Sequence, residues 1–341
     1  MGEKKVSELT TDEEKRAAEL FEKAIVIDCL TYAPTLMQPE YLKEMRDAGV
    51  TTHFTVLKTD ENLVQGLHNI AGWYEMVEQN DTVIALKVED FMTAKQANRP
   101  CVIMGSQNAK PVEESLEYIR ILHTLGLRII QLAYDEPNYI GTGGSHPDCG
   151  VTKFGRKVIE EMNRVGILVD VSHCGDKTVM DAIKYSEKPI AITHANPKAK
   201  VNHTRNKTDE HMLALAEKGG VIGLTAWSPI TMVNKGVRPN LEDFLDLMEY
   251  VIELIGIDHV GFGLDLTPHW DWDPDDYYKW AKQYPELAPQ NIEERNVDGL
   301  HHVSQINNIS RGLVARGSSD EDILKILGGN FIELFRKVWK A

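Results

Sequence analysis

Three features of the sequence predict an α/β fold, a (β/α)8 barrel of TIM type that takes up the whole chain, residues 1–341, as one domain. Short apolar, β-branched runs recur along its full length, amphipathic helical segments separate them, and no Pro/Gly/Ser-rich linker divides the chain. Near-continuous apolar runs of this length suit strands covered on both faces, as in a parallel sheet. Roughly eight β/α units over about 250 residues or more is the size of such a barrel. A doubly wound sheet is the alternative, although no GxGxxG follows the first strand.

The chain opens with MGEKKVSELTTDEEKRAAELFEKA, a charged segment that predicts a helix over about 11–23 with Thr11 or Asp12 as N-cap. It has neither the apolar core nor the cleavage site of a signal peptide. Val6, where Ser or Thr is needed, argues against myristoylation of Gly2. The strand candidates are AIVID (24–28), TTHFTVL (51–57), TVIALK (82–87), CVIMG (101–105), LRIIQLAY (127–134), ILVDVS (167–172), PIAIT (189–193), GVIGLTAW (220–227) and HVGFGLD (259–265). Nine is one more than the barrel needs, and TVIALK is the expected edge or accessory strand. FGRKVIEEMNRVG and EDFLDLMEYVIELIG carry helical periodicity. The C-terminal SSDEDILKILGGNFIELFRKVWKA begins with a Ser/Asp cap and an acidic first turn. It predicts a helical region over about 320–340, interrupted at Gly328-Gly329 and packed on the barrel exterior.

Composition narrows the function. A hydrophobic share of 42% and a charged share of 26% belong to a globular protein. The net charge of −15 argues against a nucleic-acid binder, which needs a basic patch, and against an anionic membrane surface. No apolar segment approaches the ~20 residues of a membrane span. Four scattered cysteines without CxxC spacing suggest reduced thiols and a cytoplasmic location. The expected partner is a small molecule, and self-association is left open.

Barrel chemistry sits at the C-terminal ends of the strands. There ILVDVS leads into His173, PIAIT into His194, HVGFGLD ends in Asp265, LRIIQLAY ends in Tyr134, and CVIMG runs into Ser106-Gln107-Asn108. Neighbouring strands lie roughly 4.8 Å apart, so two histidines closing consecutive strands can converge on one ion at about 2.1 Å each. Hydrogen-bonded polar residues at a barrel mouth are the equal alternative. Asp265 can add a carboxylate or act as general base. Arg205, in the loop after His194, has the fork to clamp a carboxylate; a solvated loop arginine is its bland counterpart. His53 lies within its strand, where a structural role is the commoner one. The segment TPHWDWDPDDYYKWAKQYPELAP gathers aromatics and aspartates into a loop suited either to a lid for a cationic group or to an anchor against its own barrel.

At these residues the sequence resembles the membrane (renal) dipeptidase family, peptidase M19-like members of the amidohydrolase superfamily. The likeness is carried by GVTKFGRKVIEEMNRVGILVDVSH, PIAITHANPKAKVNHTRN, HVGFGLD and LVARGSSDEDILKILGGNFIELFRKVW, and it runs from about Phe21 to the C-terminus. The resemblance implies a metallo-dependent hydrolase-like barrel that cleaves dipeptides with two zinc ions bridged by a glutamate. It makes His173 and His194 ligands of one zinc, Arg205 the arginine for a substrate carboxylate, and Asp265 the aspartate for substrate binding and proton handling.

The sequence also departs from that family. The His-x-Asp pair expected after the first strand reads Leu30 and Tyr32, the bridging glutamate falls on Gln107, and a transition-state histidine falls on Tyr134. A bridged dizinc site needs anionic ligands that Gln107 and Leu30 do not supply. The expectation is therefore a metal-dependent hydrolase of a small amide or dipeptide-like substrate with an incomplete, mononuclear site. One zinc or none would rest on His173 and His194 with an oxygen from Asp265 or Gln107; Tyr134 would donate to the oxyanion, and Arg205 and Gln107 would contact substrate. The alternative is a metal-free enzyme or binding protein in which Tyr32, Tyr134 and Trp227 enclose a zwitterionic or quaternary-amine metabolite. A scaffold acting through protein partners is the third possibility, and it has no need for the retained His173, His194, Arg205 and Asp265.

Overall fold

Eight parallel strands follow one another around a barrel in chain order: β1 (Val26–Thr31), β2 (Val50–Leu57), β4 (Cys101–Ser106), β5 (Leu127–Gln131), β6 (Leu168–Asp170), β7 (Ala191–Ile192), β8 (Val221–Leu224) and β9 (Val260–Phe262). The ninth, β3 (Val83–Ile84), pairs only with β4 and stands off the path, the accessory role expected for TVIALK. The computed structural model describes residues 4–32, 39–57, 61–144, 147–267, 278–279, 281–282 and 294–340, and for 53–55 the backbone alone. His53 as a ligand, and most of the aromatic loop after Asp265, lie outside the described residues.

The strands alternate as the pleat requires. Val26, Val102, Ile130, Val169, Ile192 and Ile222 join the layer between barrel and helices. Ile27, Ile103, Ile129, Leu168, Ala191 and Val221 fill the interior. Both faces are apolar because both are covered, which is why the sequence shows continuous runs.

Helices cover the outside where periodicity placed them, including Lys153–Val165, capped by Thr152, and Leu241–Ile255, capped by Asn240. The first helix spans Thr11–Lys23, but its N-cap is Thr10 and neither Thr11 nor Asp12, because Thr10 and Glu13 form a reciprocal capping box. The C-terminal region differs in placement. Phe331, Leu334, Phe335, Val338 and Trp339 pack with the interior residues, not with the outer layer, and so floor the barrel at the end opposite the strand C-termini. The Gly328-Gly329 interruption is a π-helical turn, Lys325–Gly329, that redirects the chain into this position.

Isolated backbone bonds and one side chain, the Asp28 carboxylate, close the barrel in place of a regular ladder. One parallel bridge links Thr31 to Leu266. The Asp265 N–H donates to the Leu30 carbonyl at 3.0 Å, and the Tyr32 N–H donates to the Leu266 carbonyl at 3.0 Å. The wall is tight at this arc: a Cβ on Gly223 would lie 2.2 Å from the Thr193 carbonyl oxygen, and one on Gly263 would lie 2.1 Å from it. Only glycine allows β7, β8 and β9 to approach so closely.

Candidate active site

Two imidazoles meet at the C-terminal mouth. His173 follows β6, His194 follows β7, and their Nε2 atoms lie 3.0 Å apart in a fully buried setting. Each ring is held from behind. His173 Nδ1 sits 3.1 Å from the buried Asp135 carboxylate. His194 Nδ1 sits 2.7 Å from the Thr193 hydroxyl. That hydroxyl spends its proton on Asp170, donating at 2.8 Å, so the imidazole N–H must be the donor to it. Asp170 organises the turn: it also accepts the Ser172 hydroxyl at 2.6 Å and the backbone N–H groups of Ser172 and Thr193 at 3.0 Å each.

The tautomers follow from this wiring. Both rings donate from Nδ1, so both Nε2 lone pairs point toward each other. Burial, reinforced by the charges of Arg205 and Lys207, pushes the His173 pKa well below its ordinary value. Two lone pairs at 3.0 Å repel unless a proton or a metal ion lies between them. Nitrogens each about 2.1 Å from one zinc are separated by roughly 3.0–3.4 Å at ordinary ligand angles, so the pair fits one ion.

Gln107, after β4, completes the cluster. Its amide nitrogen lies 3.1 Å from His194 Nε2, and its Oε1 is buried with no hydrogen-bond partner among the described residues. Rotating the amide by half a turn would bring that oxygen to the imidazoles as a neutral third donor. Among the described residues, no three His, Cys, Asp or Glu side chains converge as a metal-binding group. The donor set is two neutral nitrogens and one amide oxygen. It suits a single ion and lacks the carboxylate that would bridge two.

Around this centre, Tyr134 stacks on the His173 ring with centroids 4.0 Å apart and planes 25° from parallel. Arg205 is buried and donates to the carbonyls of Ser172 and His194, tying the two histidine-bearing turns together. Lys207 is fully buried on the Cys174 carbonyl at 2.9 Å, and burial lowers its pKa to about 7, helped by the Arg205 charge. Asp265 is half-buried, with a left-handed φ of 57°. Burial pushes its carboxyl up to about 6 against the opposing pull of Arg205.

Tyr32 and Trp227 stand at the ends of β1 and β8. Tyr32 and Asp265, together with Asp135 and Arg205, lie near enough for their charges to act on the Tyr134 phenol. Leu30 is fully buried. The sequence reading missed Asp135, Asp170, Thr193 and Lys207; an aspartate inside an apolar run, as in ILVDVS, is the one signal that pointed to any of them.

The sequence profile of the membrane dipeptidase family, peptidase family M19, matches residues 38–294. The chain belongs to this family. Dipeptidase tcpJ of Claviceps purpurea is 29% identical over 258 residues, which cover 75% of this chain and 55% of that relative. The chain thus spans little more than half the length of that relative. Among solved structures, an amidohydrolase from Pseudomonas aeruginosa is 30% identical with a TM-score of 0.87, covering 95% of this chain and 99% of that one. A metallopeptidase from Rhodobacter sphaeroides, solved with a phosphinate mimic of the dipeptide L-Ala-D-Ala, has the same fold at a TM-score of 0.74 and 17% identity, over 93% of this chain and 100% of that one. No helix among the described residues is long and apolar enough to cross a membrane.

Proposed function

We propose that this protein is a metal-dependent hydrolase of dipeptide-like amides that works with a single zinc ion held by His173 and His194. The observation that carries the reading is the pair of Nε2 lone pairs, each fixed from behind and set 3.0 Å apart. Membership of the dipeptidase family supports the reaction class. Gln107 would turn its amide oxygen toward the ion as a neutral ligand.

When bound, zinc supplies a Lewis acid that polarises the amide carbonyl and acidifies water. The chain's own residues do the rest. Asp265, with its carboxyl raised to about 6, takes a proton near neutral pH and returns it to the departing amine. Burial drives the Tyr134 phenol well above its ordinary value, so it stays protonated and can donate to a developing oxyanion. Arg205 spends two N–H groups on backbone carbonyls, and its charge and remaining donors favour a substrate carboxylate. Tyr32 and Trp227 line the approach for a small molecule. None of the four cysteines is in a disulfide and three of them are buried, which supports a reducing, cytoplasmic setting.

The test is elemental analysis of protein purified without chelator, together with a dipeptide hydrolysis screen. About one zinc per chain and metal-dependent cleavage are expected. Full activity after complete metal removal would refute the reading. A second reading has one observation of its own: the Gln107 amide N–H can satisfy the His194 lone pair without any metal. It makes the barrel a binder of zwitterionic or quaternary-amine metabolites, and thermal shifts with such ligands, absent with dipeptides, would favour it.

A further inference from the structure

We propose that Asp28 is the positioning residue for Asp265: its carboxylate, standing where the β1–β9 ladder is missing, fixes the turn that presents Asp265 at the mouth. Three donors from both strands converge on it. The Leu264 N–H reaches Asp28 Oδ1 at 2.8 Å across the seam, and the Leu30 N–H reaches the same oxygen at 3.3 Å. The Thr31 hydroxyl donates to Oδ2 at 3.2 Å. Asp28 is fully buried, so no water substitutes for this acceptor, and each donor would otherwise be stranded.

The position of these contacts gives them their effect. Leu264 immediately precedes Asp265, and the next rung is the Asp265 N–H on the Leu30 carbonyl at 3.0 Å. Asp265 then enters the left-handed region at φ 57°, which is strained for a non-glycine residue and persists only where the surroundings impose it. On the far side, the Tyr32 N–H holds the Leu266 carbonyl at 3.0 Å. The strained residue is thus clamped before and after, and Asp28 supplies the clamp before it. An aspartate suits the place because a carboxylate is an acceptor alone and can take all three donors at once.

Hydrogen exchange followed by mass spectrometry tests this without any substrate. In Asp28→Ala, the peptide across residues 262–266 should exchange about tenfold faster or more, while a peptide across 167–172 is unchanged. Asp28→Asn keeps an oxygen for the Leu264 and Leu30 N–H groups and should remain within about threefold of the wild type. Should Asp28→Ala fail to fold, Asp28→Ser, whose single oxygen sits on a shorter arm, is expected to show the same loss. Wild-type protection across 262–266 in the Ala or Ser variant overturns the proposal, and so does an equal loss in Asp28→Asn. The kinetic consequence rests on the reading of Asp265 as proton carrier: with a dipeptide that the wild type cleaves, kcat should fall about tenfold or more in Asp28→Ala with KM held, and recover in Asp28→Asn. An unchanged kcat in Asp28→Ala overturns it as well. If the wild type cleaves no dipeptide, the proposed function fails and the exchange result still decides the role of Asp28.

Discussion

The two sides of the barrel mouth are built from different materials. On the side of β5 to β7, both histidines are backed by other side chains, Asp135 behind His173 and Thr193 and Asp170 behind His194, and Arg205 ties both turns together through their carbonyls. On the side of β1 and β9, the places where the family resemblance calls for a histidine and an aspartate hold the buried Leu30 and the half-buried Tyr32, and the polar work falls to Asp28 at the seam. On the function proposed above, the metal would rest on one arc and not on the whole mouth. The His173–His194 pair does not depend on β1, because its supports come from its own side.

The largest effect is expected from His173→Ala/His194→Ala, which should remove the bound metal entirely, read by elemental analysis; retention of metal would locate it elsewhere. Asp265→Asn should lower kcat by about 10²–10⁴-fold with metal content unchanged. In the wild type, an Asp265 that must be ionised to accept a proton makes kcat/KM fall by about tenfold per pH unit below about 6, and that limb should vanish in the variant. Asp135→Ala removes the support of His173 and should weaken zinc binding by about 10–100-fold in a chelator competition. Gln107→Glu, which adds an anionic oxygen beside His194, should tighten zinc by about tenfold; weaker binding would mean that Gln107 faces the ion only as an amide. On the opposite arc, Leu30→Ala should leave metal content unchanged while costing about 2–4 kcal/mol of stability by denaturant unfolding, since it empties a buried site.

Much of this was legible in the sequence, and the gaps have physical causes. The strand runs were visible because parallel strands bury both faces, and TVIALK stood out as surplus. The paired lengths were not visible. PIAIT yields only Ala191–Ile192 as strand, because beyond it the backbone N–H groups of Thr193 and His194 turn to Asp170 and the Ser172 hydroxyl. His173, His194, Gln107 and Tyr134 meet in space because strand ends in a barrel share one rim. Asp135 was passed over because its partner is 38 residues away, and nothing local distinguishes it from a loop aspartate. The C-terminal helix shows its apolar stripe in the sequence, but a stripe does not say which surface it covers.

That helix has a consequence for how the molecule comes into being. Its aromatic residues, Phe331, Phe335 and Trp339, floor the barrel whose first strand was made some three hundred residues earlier. During N-to-C synthesis, at about 5–20 residues per second, every strand leaves the ribosome before the floor exists. For that interval, roughly 10–60 s at this rate, the underside of Ile27, Ile103 and Ile129 has no cover but other nascent chain or a chaperone. The nascent barrel is open at its base until its last turn of helix arrives.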